Sequence, residues 1–176
     1  MNNFFPLLMP RYFSVIVLSV FVILGAGCAQ NSDQREFEQE AYGPPQNYTE
    51  TSFDGEILST DEDDWRTSPL YQGLVRIQQP PFPNPVNTST VIRFNIYVTG
   101  VQSVNGIEVF TRYNNGEFSS PLYFDYETLS PGETEIQINP MELGRFNNVE
   151  SARGLHRIFI FTGNQQMISY GDVLVE

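Results

Sequence analysis

The chain has no lysine, one cysteine and one histidine, and each shortage excludes something. All nine basic residues are arginine and stand against 21 acidic ones, for a formal net charge of -12. Phosphate backbones are bound through a cationic footprint, so no nucleic-acid partner is expected. A single cysteine rules out an internal disulfide framework. With only one histidine beside it, the usual structural zinc clusters are out of reach, since they draw about four ligands mostly from those two residue types. Signs of catalysis are equally sparse. No G-x-S-x-G elbow accompanies His156, which falls in a strand-like stretch beside Arg157 and Ile158 and reads as structural. Glu133 and Glu135 are close in sequence, but they fall in an ordinary turn-to-strand segment. Gly154, Gly163 and Gly171 follow turn spacing rather than a phosphate-cradling loop. The expectation is a non-enzymatic protein with no catalytic residues, no metal and no cofactor.

What the chain does have begins with "YFSVIVLSVFVIL" at residues 12–24, an uncharged run preceded by Arg11 and followed by Gly25, Ala26, Gly27 and Cys28. A positive start, a short apolar stretch and a small-residue site follow the order of a secretory signal. A membrane-spanning helix needs about 20 apolar residues, which this run reaches only by counting glycines. The stretch Leu24-Gly25-Ala26-Gly27-Cys28 resembles the lipobox of bacterial lipoproteins. That resemblance implies a signal peptide over residues 1–27 and acylation of Cys28 as the new N-terminus. The membrane, reached through acyl chains on Cys28, would then be a partner; two or more chains anchor stably where one is marginal.

Residues 29–64 hold eleven acids and one base, Arg35, and their only large aliphatics are Ile57 and Leu58. High charge with little to bury predicts a mostly disordered spacer over residues 28–64, extended by self-repulsion. "DEDD" at 61–64 lacks the alternate spacing and central glycine of a calcium loop, and reads as a solvated acidic run.

From Trp65 the pattern changes to period two. In "TVIRFNIYV", residues 90–98, Ile92, Phe94, Ile96 and Val98 share one face, and Arg93, Asn95 and Tyr97 the other. Similar stretches lie at 73–78, 106–113, 121–126, 134–139, 156–161, 166–170 and 172–176, rich in β-branched and aromatic residues. Asn115-Gly116 fits a type I′ hairpin turn, and Thr162-Gly163-Asn164 another tight connection. Asn139-Pro140-Met141-Glu142-Leu143-Gly144 reads as one capped helical turn. Seven or eight short strands over residues 65–176 predict an all-β domain, a single antiparallel, immunoglobulin-like β-sandwich. In its last strand Val173 and Val175 are expected to point inward and Asp172, Leu174 and Glu176 outward. That strand could be an edge guarded by charge or be paired on both sides. Tyr113, Tyr123, Tyr126, Tyr170, Phe110 and Phe118 could form an aromatic sugar- or peptide-binding face; the preferred reading is sandwich core.

"PPFPNPVNTSTVIRFNI", residues 80–96, with the motif Pro83-Asn84-Pro85, resembles the opening of the C-terminal sorting domains of type IX secretion cargo. Residues 154–176 are similar to the closing hairpin and last strand of that family. The prolines restrict φ and impose an extended lead-in to the strand. Together these readings imply a lipid-anchored protein of the bacterial envelope, at the outer membrane, with a binding or structural sandwich module whose partner is an envelope protein or a glycan. The alternatives are a sorting-type module and a small glycan-active enzyme.

Overall fold

The computed structural model describes residues 32–176; the signal-like segment 1–27 and Cys28 lie outside the described residues. The core is a two-sheet antiparallel sandwich. One sheet has the order β3-β4-β7, from Val75–Phe82, Ile92–Val98 and Gly132–Ile138. The other has the order β6-β5-β8-β9, from Tyr123–Thr128, Asn105–Thr111, Gly154–Phe161 and Met167–Val175. A two-stranded ribbon precedes them, β1 (Glu50–Thr51) with β2 (Ile57–Ser59). The expected alternation holds. Ile92, Phe94, Ile96 and Val98 are fully buried and pack with Ile107, Val109, Ile136, Ile138, Ile158 and Ile160 from both sheets. Register follows from this, because a one-residue slip would turn every one of these side chains to the opposite face.

Val173 and Val175 do point into the core. The stretches 166–170 and 172–176, however, form one continuous strand, and Gly171 is no turn glycine. It sits mid-strand and buried, with the Trp65 indole lying against it so closely that a Cβ would overlap the ring. The Asn115-Gly116 turn also differs from expectation. Gly116 alone has positive φ, at 87°, so the type I′ turn, which needs two such residues, is not formed. The single helical turn is present as the 3-10 segment Pro140–Leu143, capped by the Asn139 side chain. A short helix at Val149–Ala152 was not foreseen.

The largest correction concerns the acidic segment. Its described part, residues 32–64, is not a free spacer but wraps the sandwich. Residues 32–41 form helix α1, whose Phe37 and Ala41 are buried against Phe159, Met167 and Tyr170. The rest is held by polar groups rather than by apolar area. Thr51 N–H donates to Asn84 O and accepts in return at its own carbonyl, and Asp64 is buried with both carboxylate oxygens bonded. Composition undercounts such a segment, because buried hydrogen bonds stabilise it without large aliphatics.

Strand β9 is therefore paired on both sides. β8 lies along one side, in register from Gly154↔Val175 to Phe161↔Met167. On the other, Ser68 N–H donates to Ile168 O, Trp65 N–H to Tyr170 O and Val86 N–H to Leu174 O, while Glu176 N–H donates to Val86 O. The charge-guarded edge was the wrong alternative, and covering the edge removes the exposed template for pairing with another chain.

Candidate functional site

Between Phe82 and Val86 the chain runs alongside β9. Asn84 is completely buried there. Its side-chain amide donates to Thr49 O at 2.8 Å and to Asp172 O at 3.1 Å, and its Oδ1 accepts from Leu174 N–H at 2.9 Å. The motif Pro83, Asn84, Pro85 thus supplies an edge-sealing side chain, with Asn84 satisfying backbone groups of two other segments.

A second buried polar group lies next to it. Arg157 donates to Asp172 through Nε and Nη2, each at 2.7 Å, and Asp64 accepts from Thr49 N–H and Asp172 N–H. Burial pushes the Asp64 carboxyl up to about 7, against the two backbone donors that favour its charge, and the nearby Asp172 carboxylate adds to the rise. Burial raises Asp172 as well, and the bidentate Arg157 guanidinium offsets part of that rise. "DEDD" is therefore only partly the solvated run expected from its composition. A cleft of about 290 Å³ opens beside these acids. Perturbed carboxyls in a cleft are a signature of function, but here every oxygen of Asp64 and Asp172 already accepts a structural bond.

The other expected residues are dispersed. His156 is half-buried with Nε2 2.7 Å from Ala152 O, and burial lowers its pKa. Glu133 and Glu135 project from β7 into solvent, bonded to Asn95 and Gln137. Among the described residues no group of three or more His, Cys, Asp or Glu is placed to hold a metal ion.

The outer face of the four-stranded sheet is different in kind. An antiparallel sheet normally shows polar residues to water. This one carries Phe124 and Tyr126 on β6, Phe110 on β5, Phe159 and Phe161 on β8 and Tyr170 on β9. Helix α1 covers the β8–β9 half, where Phe37 meets Tyr170 at 5.1 Å between centroids. Tyr42, just past the helix, stacks on Phe159 at 5.7 Å and 26°. The other half stays open. Phe110, Phe118 and Phe161 meet edge-to-face, each pair at 6.0 Å. With Tyr42, Glu108 and Gln165 they line a cleft of about 290 Å³. Beside it Phe118 is 40% exposed, and Phe124 and Tyr126, 57% and 67% exposed, pack together at 5.1 Å. Arg112 stands over Tyr42, 5.5 Å from its centroid, and donates to Tyr42 O.

Of these aromatics Tyr123 packs against the sandwich core; Tyr170 is buried, but beneath α1 on the outer face rather than between the sheets, and Phe118 and Tyr126 are open to solvent. Phe124, Phe161 and Tyr42 were not singled out from sequence. The signal for the first two was the aromatic residue at outward positions of strands whose inward positions were already apolar. Rings of this kind with one carboxylate, one amide and one guanidinium around them can hold an apolar or aromatic group non-covalently. No protein-family model matches the chain, and no curated protein sequence matches it.

Proposed function

We propose that this is a lipid-anchored protein of the bacterial envelope, held at the outer membrane by acyl chains on Cys28, with a non-enzymatic sandwich that binds a partner through its aromatic face. The observation that carries the binding reading is where α1 stops. At residue 41 it leaves Phe110, Phe118 and Phe161 uncovered beside Phe124 and Tyr126. Exposed apolar patches rimmed by polar groups mark interaction sites in soluble domains. The anchor half rests on the order of Arg11, the uncharged run 12–24, the small residues 25–27 and Cys28.

Two measurements test the halves separately. Cys28→Ala should release the protein from the membrane fraction and abolish acyl labelling; a variant that stays bound, with no label on the native protein, refutes the anchor. A photo-crosslinking residue at Phe118 or Phe124 in cells should give a discrete adduct that the same residue at exposed Ser120 does not. Identical crosslinking at all three positions refutes the aromatic face as the binding surface.

A further inference from the structure

We infer that one end of the sandwich, formed by the loops 69–74, 99–104, 129–131 and 162–166, is the surface that rests on the lipid headgroups; this rests on the anchored reading above. The strand registers bring these loops together. Val75 pairs with Val98, and Val98 with Gly132; Asn105 pairs with Thr128, and Phe161 with Met167. Gly163 N–H donates to Asn105 O, and the Tyr71 hydroxyl to Gln166 Oε1, which ties the loops to one another. None of the four contains a charged residue, in a chain of net charge -12. Their exposed groups are amides, hydroxyls, the Pro131 ring and the side chain of Val101, 75% exposed. The nearest acids are Glu127 and Glu133, on the strands that flank 129–131, and Asp33 and Glu36 of α1, which line a cleft with Pro69 and Gln72 and have Arg35 between them in the chain.

Helix α1 starts at this same end. Gln34 Oε1 accepts from Leu70 N–H, whereas the far end of the helix reaches Arg157, which donates to the carbonyls of Glu40, Ala41 and Gly43. Three residues separate Cys28 from Ser32, a gap the chain spans with at most roughly 14 Å. An anchor at Cys28 therefore brings this end, and no other, to the bilayer. The opposite end carries Arg112, Glu117, Glu142, Arg145, Glu150 and Arg153. Strands of seven residues place it about 23 Å further out. That is more than two screening lengths of about 8 Å at physiological salt, so its acids are shielded from an anionic surface. The four loops themselves carry no charge for that surface to repel, and their amides and hydroxyls can donate hydrogen bonds to phosphate oxygens.

The test uses the full, acylated chain in vesicles of phosphatidylethanolamine and phosphatidylglycerol containing nitroxide-labelled lipid. Acylation of Cys28 leaves an introduced cysteine as the only free thiol, so a fluorophore can be placed by Val101→Cys, Asn164→Cys, Ser120→Cys or Glu150→Cys. The expected result is loss of most of the fluorescence at 101 and 164 and no loss at 120 and 150. Equal quenching at both ends, none at either, or quenching only at 120 and 150 overturns the orientation while flotation of the protein with the vesicles leaves the anchor intact. A chain that does not float with the vesicles refutes the anchor itself, and the orientation with it.

Discussion

Arg157 and Asp172 face each other across β8 and β9 with two hydrogen bonds of 2.7 Å, and the third guanidinium nitrogen points away from the sheet to gather the carbonyls of Glu40, Ala41 and Gly43. One side chain thus neutralises a buried carboxylate and closes the last turn of α1, whose terminal carbonyls have no partner within the helix. The same contact positions Tyr42, the wall of the aromatic cleft.

Arg157→Ala should therefore do more than weaken an ion pair. It strands Asp172, buried, with no cation, a loss of about 3–5 kcal/mol for a broken buried pair. Urea unfolding should report a midpoint shift of that size, and Arg157→Lys should recover only part of it because an ammonium cannot bridge both oxygens. A variant as stable as the native chain would mean the pair is not formed.

Asn84→Ala tests the edge seal. The substitution leaves Leu174 N–H and the carbonyls of Thr49 and Asp172 without their side-chain partner, at about 1–3 kcal/mol for each buried group left unmade. Asn84→Asp retains the acceptor but loses both donors and buries a charge, so it should be no better than alanine. Hydrogen exchange at Leu174 should accelerate in both variants; unchanged protection there would overturn the role.

The strands were legible because period-two alternation is a local signal, and Ile92 to Val98 display it within seven residues. What wraps them was not. Asp64 stands in a run of acids that looks alike from end to end, and its burial depends on Asp172, 108 residues away. The seal made by Asn84 depends equally on Thr49 and Leu174. The two prolines around Asn84 mark an extended path, but nothing local says what its amide will meet. The aromatic face was half legible: Phe110 and Phe118 were visible as aromatics. Their partial exposure, however, is set by the length of α1, in a segment whose composition argued against any helix.

Gly171→Ala should be severely destabilising, and the cause is specific. Trp65 has φ 58°, a strained setting for a bulky residue, and its ring lies on the backbone of Gly171. A methyl group there displaces the indole from its packing against Phe94, 5.9 Å away between centroids. Displaced core aromatics cost about 3 kcal/mol or more. Loss of the native tryptophan emission should accompany a large fall in melting temperature; retention of both would show that the ring can shift without cost.

Gln165 also has positive φ, at 61°, in the turn where its N–H donates to Thr162 O. Its side chain is exposed at the rim of the aromatic cleft. Glycine adopts this conformation without a Cβ clash, and a non-glycine residue there costs roughly 1–2 kcal/mol. Gln165→Gly should raise the melting temperature, whereas Gln165→Ala, which removes the same amide but keeps the Cβ, should not. Equal effects of the two would assign the change to the lost amide rather than to the backbone.

Asp64 makes stability depend on pH in the direction opposite to a salt-bridged carboxylate. Its folded-state value of about 7 lies above the ordinary 3.8, so the folded chain holds this proton more tightly than the unfolded one. The stabilisation from protonated Asp64 is complete below about pH 3.8, declines as pH rises toward 7 and is gone above it. The gap of roughly 3 units corresponds to about 4 kcal/mol over that window. Burial raises Asp172 in the same direction, and the large negative net charge adds self-repulsion as carboxyls ionise, so the native chain alone cannot isolate the effect. Asp64→Asn can. It keeps an oxygen for one of the two backbone donors, Thr49 N–H or Asp172 N–H, and removes the titration. The difference in unfolding free energy between native chain and variant should shrink by a few kcal/mol between pH 4.5 and pH 8, with the variant gaining relative to the native chain as pH rises. If the two curves run parallel across that range, Asp64 is ionised in the folded state throughout, and its burial carries no proton.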